Sequence, residues 1–173
     1  MTRSAPTSIR VAPIAEADAG SFHACLDAVA RERRFLALLE APPLASTRGF
    51  VADNVAKGVP QVVAKDGPQV VGWCDIRPGW PDTLRHCGSV GMGLLPAYRG
   101  QGIGRRLLEA CLVAARQAGI TRVELEARAD NDAALRLYTR MGFAHEGTKR
   151  RGMKVDGQYV DTLSMALFLD APA

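Results

Sequence analysis

The chain has 173 residues, 47% of them hydrophobic and 23% charged, the balance of a globular domain with one buried core rather than two. No stretch approaches the roughly 18 consecutive apolar residues of a membrane-spanning helix, and residues 1–14 lack the basic and apolar regions of a secretory leader, so a cytoplasmic protein with no membrane partner is expected. The net charge of +4 and isoelectric point near 9.1 are mildly basic, but no dense Lys/Arg run is interleaved with aromatics; this argues against nucleic acid and for a cluster that serves a phosphorylated ligand.

Cys25, Cys74, Cys87 and Cys111 are far apart in sequence and form no Cys-x-x-Cys pair, so neither a metal site nor a disulfide framework is expected. Cys25 and Cys111 fall on the apolar faces of predicted helices, where a thiol behaves as a small hydrophobe.

In chain order, residues 9–11 form a short strand. From Asp18 onward Phe22, Cys25, Leu26 and Val29 recur at helical spacing and predict an amphipathic helix. Residues 31–45 read as an irregular connection with room for a short helix, and Ser46 is a candidate cap for a second helix that ends near Gly58. The period then shortens. Residues 61–65 and 69–76 are β-rich runs around Asp66-Gly67-Pro68, a hairpin signal, and residues 86–95 form a third run that stops at Pro96. Leu107, Leu108, Cys111, Leu112 and Ala115 stripe a helix ended by Gly119. Residues 121–127 are a strand, Ala134, Leu137, Tyr138 and Met141 stripe a short helix closed by Gly142, and two strands flank the favoured turn Asp156-Gly157. The order is β-α-α-β-β-β-α-β-α-β-β. A strand–helix–strand unit needs a right-handed crossover and parallel pairing, whereas the hairpins on either side are antiparallel. No repeat or linker divides the chain, so one α/β domain over residues 1–173 with a mixed sheet is expected.

The chemistry concentrates where the third run passes Gly93-Leu94-Leu95-Pro96 into Arg99-Gly100-Gln101-Gly102-Ile103-Gly104 and a helix follows at once. Three glycines in five positions let a ligand approach the backbone. A helix start leaves N–H groups unpaired and carries roughly half a positive charge, which suits a diphosphate, and Arg99 and Arg105 add full charges. Spacing excludes two other Gly-rich loops: no Gly-Lys pair follows, as a P-loop needs, and the dinucleotide fingerprint needs Gly or Ala where Leu107 stands. Farther on, Asn131 opens a helix and is suited equally to capping it or to touching a ligand. Tyr138 lies close to two helical turns later on nearly the same face, where core packing is the plain alternative.

Arg99-x-x-Gly102-x-Gly104, followed by Asn131 and by Leu137-Tyr138-x-x-Met141-Gly142-Phe143, resembles the GCN5-related N-acetyltransferase (GNAT) superfamily, over nearly the whole chain and most specifically over residues 88–143. The resemblance implies a mixed sheet of six to seven strands with about four helices, and two parallel strands, residues 86–95 and 121–127, splayed around acetyl-CoA as co-substrate. It implies that the backbone of Leu94 and Leu95 pairs with the pantetheine arm and that Arg99, Gly100, Gln101, Gly102, Ile103, Gly104 and Arg105 surround the pyrophosphate, with the amides from Gln101 to Arg105 holding it. Asn131 would contact the pantetheine side, and Tyr138 would protonate the leaving thiolate. No metal is implied, and a homodimer is a family habit.

The positions that supply a base in many relatives fall here on Gly88 and Val90, which cannot act. His86 shares their strand face and is the candidate base through water, with Glu32 and Asp75 as further candidates. Arg33, Arg34, Phe35, Trp73 and Tyr159 fall where the family frames its acceptor. The expected acceptor is a small-molecule amine, amino-acid-like if those arginines bind a carboxylate. An enzyme acting on protein N-termini or lysines, and a non-catalytic acyl-CoA-binding module, stay open. A groove open at both ends favours the protein acceptor, and a closed pocket the small one.

Overall fold

Alternation in the strand β2 (Gln61–Asp66) sends Val62 and Ala64 to one side and Val63 to the other, and all three are buried, so the sheet needs cover on both faces. The computed structural model describes residues 9–170 and shows how that cover is supplied. The helices α1 (Ala19–Arg31) and α2 (Leu44–Lys57) precede β2 and pack Phe22, Cys25, Val29 and Val51 on one face, against Val63, Val70 and Trp73. The opposite face is closed by α3 (Ile103–Gln117), whose Leu107, Leu108, Cys111, Leu112 and Ala115 form the buried stripe that the helical period predicts, and by α4 (Asp132–Arg140) through Tyr138.

The other strands are β1 (Arg10–Pro13), β3 (Gln69–Pro78), β4 (Cys87–Leu94), β5 (Arg122–Arg128), β6 (Ala144–Val155) and β7 (Gln158–Phe168). They build one seven-stranded sheet in the order β1-β2-β3-β4-β5-β7-β6. Every neighbouring pair is antiparallel except β4 and β5, which the α3 crossover makes parallel. The element order is the expected one.

Two local expectations change. Ser46 lies inside α2 rather than at its cap. The helix starts from Pro43, whose carbonyl accepts from the amides of Ser46 (2.8 Å) and Thr47 (3.2 Å). No helix forms between α1 and α2. Gly119, at φ +79°, ends α3 in the left-handed region that a β-carbon disfavours.

The parallel pair is short. Cys87, Gly88 and Ser89 are in register with Arg122, Val123 and Glu124, and there the pairing stops, although β4 continues to Leu94 and β5 to Arg128. Beyond Ser89 the two strands part, and the sheet has an opening at its centre.

Thr162, on β7, is fully buried and its hydroxyl oxygen has no hydrogen-bond partner among the described residues. Thr162→Val keeps the shape and removes the unsatisfied hydroxyl, so it is expected to raise unfolding stability by about 1 kcal/mol in urea titration. A loss of stability would show that the hydroxyl is satisfied.

Candidate active site

The opening is continuous with a cavity of about 1340 Å³, beyond the roughly 300–1,000 Å³ of a single small-molecule site. Its walls come from both faces of the sheet: Phe22, Trp73 and Asp75 from the α1–α2 side, Gly104, Leu137 and Tyr138 from the α3–α4 side. It therefore has room for two ligands that meet through the gap.

The loop after β4 ends in residues that set up the start of α3. Gly100 and Gly102 sit at φ +73° and +78°, conformations that cost a side chain energy. They turn the chain so that α3 begins at Ile103. The first amide to bond back into the helix is that of Arg106, to the carbonyl of Gly102 (3.2 Å). Among the described residues no backbone acceptor takes the amides of Gln101, Gly102, Ile103, Gly104 or Arg105, and Gly102, Gly104 and Arg105 line the cavity. These donors at the positive end of a 15-residue helix make a candidate anion site.

Backbone direction along β4 follows from its pairing with β3. The amide of Leu95 donates to Val71 O (2.9 Å) and that of Gly79 donates to Cys87 O (3.0 Å). The backbone groups of odd-numbered β4 residues thus face β3, and alternation turns those of Val90, Met92 and Leu94 toward the gap. The expected pair Leu94 and Leu95 is thereby corrected: Leu95 is committed to β3, and Met92 takes its place at the opening. The Leu94 carbonyl also accepts from Arg99 Nε (2.9 Å).

Arg99 lines the cavity beside the loop, but its charge is already engaged. Its guanidinium is held by Glu32 in a two-pronged pair (2.9 and 2.5 Å) and lies 4.6 Å from the centroid of Phe35. A carboxylate partner spends the charge of Arg99 on tying the segment after α1 to the end of β4. Arg105 stays near the anion site, at the cavity wall, bonded to Glu109 (2.6 Å). Gln101 donates its side-chain amide to Ala97 O (2.8 Å).

Asn131 caps α4: its Oδ1 accepts from the amide of Ala134 (3.2 Å). It also lines the cavity, and its side-chain NH2 has no acceptor among the described residues. Tyr138 is buried against Phe143, with ring centroids 5.7 Å apart, yet reaches the cavity. Burial, and to a smaller extent the neighbouring Cys74, push its phenol well above the ordinary range, so it stays protonated and suits a proton donor.

His86 is not brought to this site. It lies exposed just before β4, with its ring against the Cys87 thiol (3.3 Å) and its carbonyl accepting from the amides of Thr121 and Arg122. It shares a strand face with Val90 and Met92, but at about 3.3 Å per strand residue it is roughly 20 Å from Met92. By alternation it is also on the strand face opposite to that of Gly91 and Asp75. Glu32 is engaged by Arg99. Asp75 is 5% exposed and lines the cavity; burial pushes its carboxyl up to about 6 against the partial pull of Arg77. Of the residues expected to frame an acceptor, Phe35 and Trp73 line the cavity, while Arg33 pairs with Asp156 of the β6–β7 turn and receives a bond on its carbonyl from Arg128 (3.1 Å). Arg34 and Tyr159 are not at the cavity wall.

The family model of the acetyltransferase (GNAT) family matches residues 27–143, from the end of α1 through α4. The chain belongs to the GNAT family. This is a family of acetyl-CoA-dependent N-acetyltransferases. Over 97 residues the chain is 53% identical to the N-alpha-acetyltransferase RimI of Mycobacterium tuberculosis (strain ATCC 25618 / H37Rv), a stretch that covers 56% of this chain and 59% of that protein. Over 74 residues it is 42% identical to the [ribosomal protein bS18]-alanine N-acetyltransferase of Escherichia coli (strain K12), covering 42% of this chain and 49% of the other. The chain thus spans 59% or less of the length of these two relatives. The fold matches that of the Salmonella typhimurium protein yncA, solved with its cofactor acetyl-CoA, with a TM-score of 0.88 at 20% identity over 96% of each chain.

The GNAT loop has one position where the anion site can be blocked without strain. A Cβ at Gly104 would meet Leu137 Cδ2 at 3.5 Å, an ordinary contact, and the position has no positive φ. Gly104→Glu places a carboxylate in the first turn of α3, where it favours the helix dipole but repels a diphosphate. Thermal stability is expected to hold while acetyl-CoA affinity in calorimetry falls at least about a hundredfold, roughly the 3 kcal/mol of one or two charge-assisted hydrogen bonds. Unchanged affinity would remove the anion site from this loop.

Proposed function

We propose that the protein transfers the acetyl group of acetyl-CoA to a primary amine, and that the preferred acceptor is the α-amine at a polypeptide N-terminus. The observation that carries the reaction is a single cavity joining the free amides at the start of α3 to the Tyr138 hydroxyl through the parting of β4 and β5. In this reading the amides of residues 101–105 hold the pyrophosphate, with Gly100 setting the turn and Arg105 adding charge at the rim. The backbone of Met92 and Leu94 takes the pantetheine arm as an added half-strand, and the Asn131 NH2 bonds to it. These residues fit the group: they offer donors where the ligand has anions, and unpaired strand edge where it has amides.

Bound acetyl-CoA would supply the thioester that an amine attacks directly. Tyr138 reaches the gap from the α4 side and gives its proton to the sulfur as the carbon–sulfur bond breaks. Its buried phenol keeps that proton at neutral pH.

A polypeptide acceptor is supported by the likeness to two enzymes whose names specify N-alpha and alanine N-acetylation. A small amino-acid-like amine is the second reading. The observation that favours it is the Arg33–Asp156 ion pair, which ties the segment after α1 to the β6–β7 turn. A panel of alanine-initiated peptides and free amines, followed by thiol release from acetyl-CoA, separates the two. Peptides are expected to be turned over with the higher kcat/KM, and exclusive use of free amines would overturn the first.

Tyr138→Phe keeps the packing and deletes the acid. It is expected to lower kcat by roughly ten- to a thousandfold, with acetyl-CoA affinity little changed in calorimetry. A wild-type rate would remove this assignment.

A further inference from the structure

The α1–α2 side of the cavity holds one carboxylate with almost nothing to do. Asp75 lies midway along β3, in register with Gln61 of β2 and Gly91 of β4. A Cβ built on Gly91 would lie 3.1 and 3.2 Å from the two carboxylate oxygens of Asp75. Because β4 has no side chain there, the carboxylate leans over its bare backbone. That is just past Ser89, where β4 has lost β5 as a partner. The carboxylate is therefore at the opening, on the face opposite α4 and Tyr138.

Buried carboxylates are ordinarily well supplied with donors. Among the described residues the partner of Asp75 is Arg77 Nε at 3.2 Å, from a side chain itself 56% exposed. Gln61 accepts from Asn54 on its Oε1 (2.8 Å), and its buried Nε2 has no hydrogen-bond partner among the described residues and does not reach the carboxylate. Of the cavity-lining residues, α1 and α2 contribute Phe22, Leu26, Val29, Ser46, Thr47 and Phe50, and β4 contributes residues 89–94, none of which titrates. Arg77 is thus the charged group facing Asp75. The other acids near the gap are better satisfied: Glu32 by Arg99, Glu124 by Arg122 and Glu126 by Lys149.

We propose that Asp75 is the proton acceptor for the incoming amine, receiving a proton from the substrate ammonium on the α1–α2 face while Tyr138 serves the sulfur from the α4 face. This rests on the acetyltransferase reading above. An ammonium loses its first proton to the Asp75 carboxylate. The neutral nitrogen then bonds to the thioester carbon and the carbon–sulfur bond breaks. The sulfur takes the Tyr138 proton, and the nitrogen's second proton restores the phenol. Asp75 releases its proton to solvent, so one amide, one thiol and one proton leave for each ammonium and thioester consumed.

Three variants test this with the best acceptor from the panel. Asp75→Asn is expected to lower kcat/KM at pH 7 at least about a hundredfold and to abolish an acid limb near pH 6, with acetyl-CoA affinity unchanged in calorimetry. Arg77→Gln removes the pull on the carboxyl, so it should keep most activity and move that limb to higher pH. Stability gives a readout free of activity. The folded carboxyl lies above its ordinary 3.8, so wild type holds more protons folded than unfolded and loses stability as pH rises from about 4 to about 6. Asp75→Asn does not titrate and is expected to melt above wild type at pH 8, with the gap closing near pH 4. An Asp75→Asn variant that keeps its rate and acid limb, or one destabilised at pH 8 with an activity loss matched by Arg77→Gln, would make Asp75 a structural anchor and overturn the proposal. If wild type neither binds nor consumes acetyl-CoA, it is the acetyltransferase reading that fails, and the proposal with it.

Discussion

The parting of β4 from β5 is the constraint on which the rest of the structure depends. A parallel pair in the middle of a sheet ordinarily runs the length of both strands, because backbone groups left unpaired in a buried setting are costly. Here the pair ends after Ser89 and Glu124, and the groups of Val90, Met92 and Leu94 look into the gap. The fold offsets part of that cost at one point, where Arg99 donates to the Leu94 carbonyl. In the proposed reading the remainder is met by a ligand with amides of its own.

The gap also connects two environments that the sheet otherwise separates. The α3–α4 side supplies the helix-start amides and a phenol whose burial keeps its proton in place. The α1–α2 side supplies an aromatic and aliphatic wall, Asp75, and polar ties that fasten the segment after α1 to its surroundings: Arg99 with Glu32, Arg33 with Asp156, and Arg128 with the Arg33 carbonyl. In the proposed mechanism, proton donor and proton acceptor work on one thioester from opposite faces without quenching each other.

Much of this was legible in the sequence because it is local. Helical period and strand alternation located α1, α3 and β2 to β5, and the glycines of the 100–104 loop marked a helix start with approachable backbone. Family resemblance added Tyr138 and Asn131. What escaped was set by tertiary pairing. Nothing near Arg99 in sequence reveals that Glu32, in another element, holds its guanidinium. The direction of Leu95 depends on its register with Val71, and Ser46 was displaced as a cap because Pro43 already starts the helix. The expectation for His86 rests on strand alternation, which carries no information about which end or which face of a strand meets the site. Asp75 is a candidate in the sequence, an acid inside the apolar run from Val70 to Ile76, but its lean over the bare backbone of Gly91 depends on the β3–β4 register.

Hydrogen exchange, read amide by amide by NMR with and without saturating acetyl-CoA, tests the central claim most directly. If the main-chain donors at the start of α3 and the free edge of β4 hold the cofactor, exchange at residues 101–105 and at Met92 slows sharply on binding, while amides already paired with β3, such as that of Leu95, change little. Binding accompanied by protection elsewhere, with residues 101–105 exchanging as fast as before, would contradict the account.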